Sequence, residues 1–251
     1  MRNDFYDPWA PYYDLLEGDR SAFVAFYGGL VTPQTRAVLE LGCGTGVVAS
    51  AIAARSRLDR VVGLDASPDM LEVARRRDPA VTWICGDMRA PDPMPPFGLI
   101  YACHITLQHC LTDDDLARVF ASARALLDVG GRFAFDIYQP NYAYVGVPVR
   151  GSIVRDMRRA DGSSVRVEEN ADYDARTRVY DLEWTLIERS AAGEDRILAR
   201  THFPWRQFDA ALVATLLERA GLAMLERFGD LDRSAFAPAS RKQVVVCGRA
   251  D

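Results

Sequence analysis

The chain has 251 residues, 49% of them apolar and 26% charged, a balance that is ordinary for a soluble globular protein and argues against disorder. Thirty basic residues stand against 35 acidic ones, and the resulting charge of −5 argues against a protein that neutralises many phosphates, so no nucleic-acid partner is expected. No stretch approaches the roughly 18 apolar residues of a membrane helix.

The first half alternates two patterns. Residues 38–41 form a short apolar strand, followed by glycines and an Ala-rich helix over about 46–55. A second strand is predicted at 60–64, a second helix at 69–77, a third strand at 81–85, a fourth at 99–103, a long helix at 113–128 and a fifth strand at 132–137. Strands alternating with helices imply a parallel sheet covered on both faces. Thr112 is a natural cap for the long helix, and Asp113, Asp114 and Asp115 complement the positive end of its dipole, so the acidic triplet is read as capping and not as a metal site. Arg75, Arg76 and Arg77 close a helix and are read as a solvated terminus.

The pattern then changes. Strands are predicted at 153–157, 165–173, 179–188 and 197–205, with turn signals at Asp161-Gly162 and Ala192-Gly193. A helix at 209–220 stops at Gly221, and strands at 223–228 and 243–247 close the chain. The expected domains are a core of residues 1–148 and 206–251 and an antiparallel insertion of residues 149–205, lying where it could cover the C-terminal ends of the parallel strands.

Five cysteines, an odd number without C-x-x-C spacing, predict reduced thiols, and three histidines leave little for metal chemistry, so no metal site is expected. Asp4, Asp7 and Pro8 stand where a signal peptide would have its apolar stretch, which predicts a cytoplasmic protein. Lys242 is the single lysine, so Schiff-base mechanisms have little to draw on.

The most informative segment is Val38-Leu39-Glu40-Leu41-Gly42-Cys43-Gly44-Thr45-Gly46, a strand running into three glycines and a helix. Glycines there let the backbone approach a ligand, in the crevice where parallel sheets bind nucleotides. The spacing is G-x-G-x-G, with Val47 where a dinucleotide loop would have its third glycine. Asp65, at the end of the second strand, can accept both hydroxyls of an adenosine ribose, through charge-assisted bonds worth roughly 1.5–3 kcal/mol each. Asp87, in Cys85-Gly86-Asp87-Met88, can accept the adenine amino group while Met88 packs on the ring.

Taken in order with the Asp128-Val129-Gly130-Gly131-Arg132 turn, these residues resemble the class I S-adenosylmethionine-dependent methyltransferases. The resemblance implies a Rossmann-like α/β fold with a seven-stranded sheet and an antiparallel β lid inserted after strand five. It implies S-adenosyl-L-methionine as cofactor, held by Tyr6, Tyr13, Glu40, Gly42, Gly44, Gly46, Asp65, Ala66, Met70, Asp87, Met88 and Cys103. Tyr6-Asp7-Pro8-Trp9-Ala10-Pro11-Tyr12-Tyr13-Asp14 resembles the YD-x-x-A-x-x-YD segment that folds over the cofactor in many small-molecule methyltransferases. Trp9 and Tyr12 fit equally an aromatic helix face packed on the core. The C-terminal half is loosely similar to amino-sugar and glycine N-methyltransferases.

His104, just past strand four, has an ordinary pKa near 6.5 that suits proton transfer, and with Tyr13, Tyr138 and Asn141 it makes up the expected catalytic set. Packing beside the cofactor is an equal reading for His104. His109 is expected to bond the start of the following helix, and His202 to be structural. The expected reaction is in-line methyl transfer to a small molecule, an amine before a hydroxyl. Alternatives are cyclisation of the cofactor to azetidine-2-carboxylate with release of methylthioadenosine, O-methylation, a non-catalytic binding module, and a nicotinamide dehydrogenase, which Val47 opposes. An exposed edge of the β lid could pair copies of the chain as a homo-oligomer.

Overall fold

The computed structural model describes residues 5–55, 57–140 and 146–250. A seven-stranded sheet of order β10-β11-β5-β4-β1-β2-β3 is its centre. The strands are β1 Ala37–Leu41, β2 Arg60–Asp65, β3 Thr82–Cys85, β4 Phe97–Ala102, β5 Leu127–Tyr138, β10 Leu222–Phe228 and β11 Lys242–Arg249. β1 to β5 pair in parallel, and β11 lies antiparallel between β5 and β10.

Period-two alternation sends each strand's side chains to two cores. Leu39, Leu41, Ile100, Phe133, Phe135 and Val245 enter one, covered by α5 (Asp113–Leu126) and α6 (Ala210–Arg219) through Val119, Phe120, Val213 and Leu217. Val38, Leu99, Tyr101, Val244 and Val246 enter the other, covered by α2 (Ser21–Gly28) and α3 (Val47–Arg55) through Phe23, Tyr27, Val48 and Ile52. This is the arrangement expected of strands buried on both faces. At α5, Thr112 caps the helix, as the sequence suggested, and Asp115 bonds back to make the cap a reciprocal capping box.

The expected turn at 128–132 is instead a bulge within β5: Phe97 pairs with Leu127, and the next pair is Leu99 with Arg132. The strand therefore begins five residues before the predicted start.

A second sheet of four antiparallel strands has the order β6-β7-β8-β9, from β6 Val149–Arg158, β7 Ser164–Asp174, β8 Val179–Arg189 and β9 Asp195–Arg206. The N-terminal segment covers part of one face. Trp9 and Leu16, the latter in α1 (Tyr13–Glu17), are buried against Val165, Val167, Leu186 and Ala199, with the Trp9 ring edge-on to Trp184 at 5.7 Å. Trp9 and Tyr12 thus pack on the second sheet and not in the central core. Among the described residues, no helix is long and apolar enough to cross a membrane.

Candidate active site

The glycine loop between β1 and α3 is shaped by three left-handed residues, Gly42, Gly44 and Gly46, with φ of 65°, 52° and 77°. A Cβ at Gly42 would lie 2.3 Å from Thr106 Cγ2, and one at Gly46 would lie 2.4 Å from the Trp83 ring. At Gly44 the space is open except for the Tyr13 ring at 3.8 Å.

Beside this loop lies a cavity of about 280 Å³, lined by Tyr6, Tyr13, Gly42, Gly44, Asp65, Ala66, Met70, Asp87, Met88 and His104 among others. A smaller one of about 40 Å³ adjoins it and is lined by Tyr13, Arg20, Glu40, Gly42, Gly44, Cys103 and His104. Most of the predicted set is therefore brought together. Gly46 lines neither cavity; it makes room for Trp83. Tyr138 also lines neither: its backbone N–H donates to Gln108 Oε1, and its ring meets Trp205 edge-on at 5.8 Å. Asn141 lies outside the described residues.

Each acid has a defined setting. Asp65 Oδ2 accepts the Gly44 N–H at 2.7 Å and Oδ1 the Ser67 N–H at 2.9 Å, so the carboxylate keeps lone pairs for further donors. Burial raises its pKa. Glu40 is 2% exposed and stitches three elements together: Oε2 accepts from Tyr101 Oη and from the Ala49 N–H, both at 3.0 Å, and Oε1 accepts from the Cys103 thiol at 3.2 Å. Burial pushes its carboxyl up to about 7. Arg89 donates to Asp87 from Nη2 at 2.7 Å and from Nε at 3.1 Å, and to Asp115 from Nη1 at 2.7 Å, which lowers the Asp87 pKa. Asp115 is thus both a helix cap and an ion-pair partner.

His104 and Ile105 follow β4 with φ of 55° and 62°, an unusual conformation for non-glycine residues and for a β-branched one above all. Asp136 holds this turn. Its Oδ1 accepts the His104 N–H at 2.9 Å and the Tyr27 hydroxyl at 2.8 Å, and its Oδ2 accepts from Lys242 Nζ at 3.0 Å. The sole lysine is therefore buried in an ion pair beneath the site. Burial, with Arg20 and Lys242 nearby, lowers the His104 pKa to about 3, so the imidazole is neutral across the physiological range. The expectation of a group titrating near 6.5 fails for that reason.

Two further expectations change. His109 does not serve the following helix: its Nε2 lies 3.0 Å from Tyr6 Oη and its Nδ1 3.3 Å from the Pro204 carbonyl, joining the N-terminal segment to β9 at the cavity wall. Arg77 is no solvated terminus: its Nε donates to the Thr45 carbonyl at 2.9 Å and its guanidinium pairs with Asp14. Asp14 also accepts from Thr45 Oγ1, and Asp7 accepts from Ser67 Oγ, so both acids of the N-terminal segment are tied to loops at the cavity. His202, on β9, lies 3.0 Å from Glu183 on β8 and is 61% exposed, away from the site.

Sequence reasoning missed Arg20, Glu17 and the Asp136–Lys242 pair. An acid within the apolar strand Phe133-Ala134-Phe135-Asp136-Ile137 and the single lysine opening the last strand were the available signals. For Glu17 and Arg20 there was none, because both act across elements distant in sequence.

This geometry is that of a nucleotide-type cofactor pocket at the C-terminal edge of a doubly wound sheet. The chain carries a methyltransferase domain and has the Rossmann-like fold of S-adenosylmethionine-dependent methyltransferases. Residues 38–131 match the family described as "Methyltransferase domain". A dTDP-4-amino-2,3,4,6-tetradeoxy-D-glucose N,N-dimethyltransferase of Saccharopolyspora spinosa is 33% identical over 129 residues, 49% of this chain and 51% of that protein. A malonyl-[acyl-carrier protein] O-methyltransferase of Ilyobacter polytropus is 34% identical over 104 residues, 40% of this chain and 37% of that protein. The chain thus matches about half or less of these curated relatives' length. The CcbJ methyltransferase of Streptomyces caelestis superposes over 100% of both chains with a TM-score of 0.81 and 25% identity.

Proposed function

We propose that the chain transfers a methyl group from S-adenosylmethionine to the nitrogen of a small-molecule amine. The observation that carries this reading is a pair of adjoining cavities that share Tyr13 and His104, the larger with acceptors for an adenosine and both with a neutral imidazole in the wall.

The residues fit the cofactor. Gly44 leaves open floor where a side chain would intrude, and Asp65 retains acceptor capacity for ribose hydroxyls. Met70, Ala66 and Met88 supply apolar wall for an adenine ring, and Asp87, kept ionised by Arg89, supplies an acceptor at its edge. Arg20, lining the small cavity, offers its guanidinium to the carboxylate of the methionine arm. When bound, the cofactor supplies a sulfonium methyl open to in-line displacement.

The chain's own residues then orient and shield. Tyr6 and Tyr13, whose rings meet edge-on at 5.9 Å, are kept as neutral phenols by burial and suit cation–π contact with a sulfonium. The N-terminal segment and the insertion, read as a lid over residues 149–205, exclude water from the reacting groups. A neutral amine needs no base for attack, whereas a hydroxyl is helped by one, and an imidazole whose pKa is about 3 is too weak a base for that. The N,N-dimethyltransferase relative supports the same choice.

The test is incubation with S-adenosylmethionine, alone and with pooled small amines, alcohols and carboxylates, followed by mass spectrometry. Acceptor-dependent S-adenosylhomocysteine with an N-methylated product is expected. Methylthioadenosine formed without acceptor, or methylation confined to oxygen, overturns the reading.

A further inference from the structure

Glu17 is the last residue of α1, and its side chain is only 9% exposed. Three cation-capable groups surround one of its oxygens: His104 Nε2 at 3.4 Å, Arg20 Nη2 at 3.8 Å and Arg155 Nη2 at 3.9 Å. They come from the loop after β4, the segment between α1 and α2, and β6, so this carboxylate sits where the core, the N-terminal segment and the second sheet meet. Burial raises the Glu17 pKa, and Arg20 and Arg155 oppose the rise.

A carboxylate facing one ring nitrogen of an imidazole selects the tautomer. The 3.4 Å approach sets a carboxylate oxygen beside Nε2, where a hydrogen is attracted and a lone pair repelled, which favours the tautomer with hydrogen on Nε2 and the lone pair on Nδ1. The His104 ring is also held edge-on to Phe23 at 5.3 Å, its backbone is fixed by Asp136, and it lines both cavities. Arg20, Lys242, Arg155 and His109 all disfavour a second proton on this ring. His104 is thus suited to accept a hydrogen bond and not to store a proton.

We propose that Glu17 is a positioning residue of the acceptor site: it holds His104 as the Nε2–H tautomer, so that Nδ1 accepts an N–H of the incoming amine and turns the nitrogen lone pair toward the methyl group. The inference rests on the proposed amine methylation. It concerns orientation alone. The C–N bond forms as the C–S bond breaks, and the surplus proton leaves with the product ammonium ion.

The chain's three histidines make the tautomer directly measurable by ¹H–¹⁵N correlation spectra of labelled protein, with His109→Asn and His202→Asn to assign the signals. The wild-type protein should show His104 as Nε2–H without any ligand added. Glu17→Gln keeps an accepting oxygen and should keep both the tautomer and most of kcat. Glu17→Met should lose the tautomer preference and lower kcat roughly ten- to a hundredfold, with a smaller change in S-adenosylmethionine affinity by calorimetry. An Nδ1–H tautomer in the wild type, an unchanged tautomer in Glu17→Met, or equal loss of kcat in the Gln and Met variants overturns the proposal. The spectra need no acceptor, so a protein with the expected tautomer but no methyl transfer would tell against the proposed function alone.

Discussion

The carboxylate of Asp65 accepts the backbone N–H of Gly44 at 2.7 Å, so the acid ending β2 and the glycine loop after β1 form one hydrogen-bonded unit. A single substitution at Asp65 removes a brace of the loop floor and, on the proposed function, a ribose acceptor as well. Asp65→Ala is expected to weaken S-adenosylmethionine binding about a hundredfold, the loss of two charge-assisted hydrogen bonds after partial compensation by water. Calorimetric titration measures this, and affinity within about threefold of the wild type would remove Asp65 from the ribose site.

Gly44 and Gly46 differ in what a methyl group would meet, and their alanine variants should separate accordingly. Both positions are left-handed, which costs about 1–2 kcal/mol for alanine. Gly46→Ala adds a clash with Trp83 and should lose about 2–5 kcal/mol of stability in urea unfolding. Gly44→Ala points a methyl into open cavity, so it should be the more stable variant yet bind cofactor poorly. The reverse order of stabilities would contradict the packing described.

Lys242 and Asp136 are both nearly inaccessible, with side chains 8% and 0% exposed. Lys242→Met leaves a buried carboxylate without its cation, at a cost of about 3–5 kcal/mol. Denaturant unfolding should show that loss, and the His104 turn above Asp136 should show faster amide exchange. A variant as stable as the wild type would mean that the pair contributes nothing.

Glu40 gives the fold a pH dependence of known sign. Its ordinary pKa of 4.5 is raised to about 7, chiefly by burial, against the hydrogen bonds from Cys103, Tyr101 and Ala49. Below pH 4.5 the group is protonated folded and unfolded, and its contribution is fully present. Between 4.5 and about 7 only the unfolded chain releases the proton, so that contribution is lost as pH rises. Glu40→Gln removes this slope. The melting temperature of the wild type relative to the variant should therefore be higher at pH 5 than at pH 8 in the absence of cofactor. A constant difference would mean that Glu40 does not titrate in this window.

Much was legible in the chain itself. Alternating apolar runs, a glycine loop and an acid at the end of the next strand specify a parallel sheet with a pocket at one edge, because strand periodicity and backbone access are local properties. Asp65, Asp87 and the glycines needed no neighbour to be recognised as cofactor candidates. The four antiparallel strands were equally plain, as turn signals at Asp161-Gly162 and Ala192-Gly193 mark two of the three turns between them.

Only the tertiary structure decided what each polar group does there. The ordinary titration of His104 is overridden by burial and by Arg20 and Lys242, which lie 84 residues before it and 138 after it in the chain. Asp14 and Arg77 become a latch, His109 a link between the N-terminal segment and β9, and Glu17 a carboxylate facing the imidazole. Desolvation and charge pairing depend on which surfaces meet, and no local pattern carries that information. The sequence by itself determined the sheet, the glycine loop and the class of cofactor; the packing of three distant segments decided the protonation and orientation of the groups around it.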